Sequence, residues 1–109
     1  MELSKQERLV LVHLLLELIN IDLIVSDNEH NYLIQILNQF HVTQQEFDAA
    51  IDIDLQYCLD CLKDSSKETR KSIFFILNKV IALDETPDDM LTKMFRKIAV
   101  GANLINSLK

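Results

Sequence analysis

Two short acidic stretches hold the residues best suited to chemistry: Asp22, Asp27 and Glu29 in the first, Asp84, Glu85, Asp88 and Asp89 in the second. Hard cations such as Ca²⁺ or Mg²⁺ need several converging oxygens, usually carboxylates with backbone carbonyls. The two stretches would supply them if the helices flanking them pack side by side. Neither is an EF-hand loop. Counted from Asp22, the ligand positions fall on Ile24, Ser26, Asn28, His30 and Leu33. Counted from Asp84, they fall on Thr86, Asp88, Met90, Thr92 and Phe95, and neither stretch has the central Gly or the closing Glu. The alternative is that Asp27, Glu29, Asp88 and Asp89 only stabilise helix N-termini, by roughly 0.3–1 kcal/mol each.

The spacing Cys58-Leu59-Asp60-Cys61 is that of a dithiol redox motif. Such a motif opens a helix beside a βαβ sheet, and no strand pattern occurs here. Two small apolar residues on one helix face is the simpler reading. Zinc would need two further ligands, and His13, His30 and His41 lie at no finger-like spacing from the cysteines. His41, just past a helix end, can favour the negative pole of that helix when protonated. His13, Glu17 and Asn20 share one stripe, either a buried polar cluster facing Lys79 or the solvent edge of their helix. There is no Gly-rich phosphate loop, nucleophile elbow or metalloprotease helix motif, so the chain is read as a non-enzyme.

The elements that must position these residues are helices. Ser4-Lys5-Gln6-Glu7, Ser26-Asp27-Asn28-Glu29, Thr43-Gln44-Gln45-Glu46 and Ser65-Ser66-Lys67-Glu68 each have the form of a capping box. The first helix runs to about Asn20 and is apolar nearly all round, as the centre of a bundle would be. Leu33, Ile36, Leu37 and Phe40 mark a second helix. Two shorter ones bend near Asp52 to Asp54. The fifth is nearly as apolar from Ile73 to Leu83 and is expected to be a second buried helix. Thr86-Pro87-Asp88-Asp89 opens a sixth, Gly101 is expected to cap its end, and Leu104, Ile105 and Leu108 predict a docked tail. An apolar helix, an acidic turn and an amphipathic helix occur twice, which predicts two pseudo-repeated helical hairpins in an all-α bundle of about six helices.

With 109 residues, 49% of them apolar and 26% charged, the chain suits a single folded domain. One Gly and one Pro leave little of the punctuation that sheets require. The formal charge of −6 divides into −9 over residues 1–62 and +3 over residues 63–109. An acidic chain without a basic stripe is a poor match for a phosphate backbone, so no nucleic acid partner is expected. The run from Leu9 to Ile21 is too short and too interrupted to span a membrane. No basic leader or cleavage site accompanies it, and the expectation is a cytoplasmic protein without membrane attachment.

The stretch from Asp22 to Glu29, placed after an apolar helix, resembles the Asp-Gly-x-apolar-Ser-x-x-Glu turn of the tellurite-resistance TerB-like family. Lys63-Asp64 to Arg70 and the run from Ile73 to Asp84 are similar to that family's second copy, and the resemblance covers about residues 5–100. Leu23 and Glu85 stand where the family has Gly. The resemblance implies a bacterial, non-catalytic helical module acting in stress response. Acidic turns would hold a divalent cation or a basic partner, with Asp22, Glu29 and Asp84 foremost and Asp27, Glu85, Asp88 and Asp89 behind them. The other reading is a helical interaction or scaffold domain that binds no metal and self-associates through the sixth helix, Met94 included, and the tail.

Overall fold

A computed structural model of the chain describes residues 3–21, 26–83 and 89–103, and for Asp89 the backbone alone. Over these residues the protein is all-α. Its helices are α1 (Lys5–Ile19), α2 (Asp27–Gln39), α3 (Gln44–Asp52), α4 (Leu55–Asp64), α5 (Lys67–Leu83) and α6 (Asp89–Gly101). No strand occurs among the described residues.

Three of the four expected capping boxes form as written. Ser4, Ser26 and Thr43 each accept from the backbone N–H of the glutamate three residues on, and that glutamate reaches back to the cap's own N–H. The fourth, Ser65 to Glu68, is replaced by a cap one residue later, with Thr69 and not Glu68 three residues on. Ser66 Oγ accepts from the Thr69 N–H at 3.1 Å, whereas Ser65 ends α4 and donates its hydroxyl to the Cys61 carbonyl. Arg70 donates to the carbonyls of Lys63 and Ser65, so the first turn of α5 closes the end of α4. Asp54 caps α4 through the Tyr57 N–H.

The helix apolar nearly all round is the hub: α1 packs against each of the other five. Leu11, Leu14, Leu15 and Leu18 are wholly buried, as are Leu62, Ile73, Leu77, Leu91 and Ile98 from the helices around them. Each such side chain contributes about 1.5–3 kcal/mol through removal from water. On α2, Tyr32 donates its buried hydroxyl to the Ile76 carbonyl of α5 at 2.9 Å. The expectation that α5 is a second buried helix is corrected. Only Thr69, Ile73, Leu77 and Val80 are buried, and Phe75 is 58% exposed, because neighbours cover just one side of this helix.

Helix ends follow backbone chemistry. His41 adopts φ 55°, the left-handed region, just past α2, and Val42 N–H and His41 N–H return to the carbonyls of Leu37 and Asn38. This pair of bonds, one six-to-one and one five-to-two, is the usual way to stop a helix with a left-handed residue. At the end of α6 that role falls to Asn103, φ 59°, and not to Gly101. Gly101 is instead the last helical residue, where a Cβ would come within 2.8 Å of Leu59 Cδ1. It serves the close approach of α6 to α4. The Thr86-Pro87-Asp88 opening and the tail at Leu104, Ile105 and Leu108 lie outside the described residues.

Candidate functional site

Between α1, α3 and α6 lies an open pocket of about 510 Å³. Its apolar walls are Leu16 and Ile21 from α1 and the turn after it, Phe47 and Ile51 from α3, and Met94 from α6, with His13, Glu17 and Asn20 along one side. Helical spacing explains the set. His13 and Glu17 stand one turn apart on α1 with Asn20 capping its end, and Phe47 and Ile51 one turn apart on α3, so two stripes face one another across a gap.

The two helices are joined by polar contacts that fix the stripes in register. The Ala50 side chain is wholly buried, and its small size lets α3 approach α1. The Ala50 carbonyl lies 2.9 Å from His13 Nδ1. A carbonyl only accepts, so Nδ1 must carry a proton. Nε2 then points along α1 to Glu17, whose Oε1 is 3.2 Å away, close enough for an ion pair when the ring is charged. The two atoms are not aligned as a hydrogen bond, and buried Nε2 has no hydrogen-bond partner. The stripe therefore faces α3, not Lys79, which is exposed on α5.

One turn nearer the N-terminus, Arg8 grips Glu46 with two donors, Nε to Oε1 at 3.3 Å and Nη2 to Oε2 at 2.6 Å. It also donates to the Leu3 carbonyl. Glu46 is at the same time the capping-box acid of α3. Hydrogen bonds from Arg8 and from the Thr43 backbone hold its carboxyl below the ordinary range, against the opposing effect of burial. One carboxylate thus both starts α3 and ties it to α1.

The acidic residues proposed as ligands are placed as follows. Glu29 is buried, with Oε1 taken up by the Ser26 N–H and hydroxyl, and Oε2 has no partner among the described residues. Asp27 is exposed in the first turn of α2. Asp89 opens α6, and Asp22, Asp84, Glu85 and Asp88 lie outside the described residues. Among the described residues no three His, Cys, Asp or Glu side chains gather as metal ligands would.

Cys58 and Cys61 are both free thiols. Cys58 is wholly buried, and burial, with Cys61, Asp54 and Glu17 nearby, pushes its thiol up to about 12. Cys61 is half-buried and receives a hydrogen bond from Gln6 Nε2 at 3.3 Å. It lines a second recess of about 470 Å³ between the start of α1 and the end of α4. Most of the polar groups there are already committed: Ser4 and Glu7 to their capping box, Gln6 to Tyr57 and Cys61, Ser65 to the Cys61 carbonyl and Ser66 to Thr69.

Sequence reasoning placed His13, Glu17 and Asn20 on one stripe but missed the walls. The partners that complete the site are 37 and 38 residues away along the chain. The usable signal was two i, i+4 pairs, polar on one helix and apolar on the other.

Neither a family model nor a curated protein nor a solved structure matches the chain.

Proposed function

We propose that this chain is a non-catalytic protein-interaction module that takes an apolar side chain of a basic partner into the α1–α3–α6 pocket. The observation that carries the reading is the composition of that pocket. Five apolar side chains line it, the half-exposed carboxylate of Glu17 stands along one side, and among the described residues no Lys or Arg lines it. Next to Phe47 and Ile51 stand Asp48 and Asp52, both exposed, and α3 holds no Lys or Arg. An apolar centre with a charged rim is the anatomy of a protein-binding patch; the acids along α3 favour basic groups of the partner on that side, while Lys93 and Lys97 stand beside Met94 on the α6 side.

The test uses two labelled 18-residue peptides of equal positive charge, one Lys/Leu amphipathic and one Lys/Ser. The Lys/Leu peptide is expected to bind, and Ile51→Gln or Glu17→Gln to weaken it about tenfold, equivalent to about 1.4 kcal/mol. Equal binding of both peptides, or binding indifferent to these substitutions, would reduce the pocket to a non-specific acidic surface.

A second reading, a divalent cation at the acidic turns as the TerB-like resemblance implies, is favoured by the buried Oε2 of Glu29. Thermal unfolding with EDTA and then millimolar Ca²⁺, Mg²⁺, Mn²⁺ or Zn²⁺ tests it. An ion at 100 times its dissociation constant adds about 2.7 kcal/mol. A shift selective for one ion and lost in Glu29→Gln supports it, and no shift with any ion removes it.

A further inference from the structure

We propose that the partner taken by this pocket is a second copy of the same chain, which presents Phe75 of α5 to it. The inference rests on the interaction reading above and names its partner.

Phe75 is an aromatic side chain left 58% exposed on a helix whose other side is in the core. It is not loose. Its ring meets that of Phe74 edge-on, with centroids 6.2 Å apart and planes at 78°, and Phe74 in turn packs on Phe95 of α6 at 5.4 Å. A projecting ring already held in orientation loses little freedom on docking, which is what an interface anchor requires. Lys71 and Lys79 stand one turn before and one turn after it, both exposed. The knob is thus apolar at its centre and basic at its edges.

The pocket is its complement: apolar walls that include Phe47, Ile51 and Met94, with Glu17 along one side and Asp48 and Asp52 beside Phe47 and Ile51. The match extends along the two helices: α5 carries four Lys or Arg against one acid, whereas α3 carries three acids and no Lys or Arg. Two molecules of charge −6 repel at long range, but at about 0.15 M salt the screening length is about 8 Å, so facing surfaces of opposite sign prevail at contact. The knob and the pocket are different surfaces of one chain, so each copy can use its knob, its pocket or both.

The experiment is sedimentation of the full chain, alone and in mixtures, with circular dichroism confirming that each variant is folded. Both substituted side chains are more than half exposed, so folding should survive. Wild type should self-associate, and Phe75→Ser alone and Ile51→Lys alone should each weaken association at least tenfold. An equimolar mixture of the two should regain it, since one variant retains the pocket and the other the knob. No rescue in the mixture, or undiminished association of Ile51→Lys, would mean that like surfaces pair and overturns the proposal. A monomeric wild type overturns it too. In that case Ile51-dependent binding of the Lys/Leu peptide leaves the interaction reading standing, and failure of the peptide as well removes both.

Discussion

Three single residues carry roles that their types alone do not declare. Gly101 sits where a Cβ would press on Leu59, so Gly101→Val should cost about 1–3 kcal/mol by overpacking, read as a lower denaturant midpoint with unchanged slope. His41 holds a left-handed backbone that glycine adopts without strain. His41→Gly should therefore raise stability by about 0.5 kcal/mol, the relief of strain exceeding the added freedom of the unfolded chain. Glu46 has its carboxyl held below the ordinary range, chiefly by Arg8. A depressed folded pKa contributes stability above the unfolded value, near 4.5, that is lost as pH falls through the folded one. Wild type should lose stability below about pH 4.5 more steeply than Glu46→Gln, and urea unfolding at pH 3 and pH 6 measures the difference.

Among the elements, α1 is the one the rest depend on. Leu14→Ala should cost about 2–5 kcal/mol, because a wholly buried side chain on the helix that all the others pack against leaves a cavity when it is cut back. Most of the element pattern was legible. Ser4, Ser26 and Thr43 announced their helices through local hydrogen bonds, and local bonds need only local sequence. Ser65 and Ser66 could not be told apart, since either can cap, and the choice lies with where α4 ends. The exposed side of α5 was hidden for a different reason. In Ile73-Phe74-Phe75-Ile76 every position is apolar, so periodicity has no contrast to read, and tertiary neighbours alone decide that Ile73 is buried and Phe75 is not. The pocket was illegible for a third reason: its two sides come from helices joined through contacts nearly forty residues apart in the chain.

Across the whole molecule, no helix among the described residues is long and apolar enough to cross a membrane. The uneven charge legible in the chain divides by element, acidic on α2 to α4 and basic on α5 and α6. The two thiols of α4 differ just as sharply, Cys58 sealed inside and Cys61 partly open. That difference makes the protein its own stopwatch. A thiol reagent should label Cys61 promptly under native conditions and reach Cys58 only in the moments when α4 lifts away from α1. With labelling slow against reclosing, the slow phase would report the opening equilibrium of the hub in protein already labelled at Cys61, without denaturant and without an engineered probe.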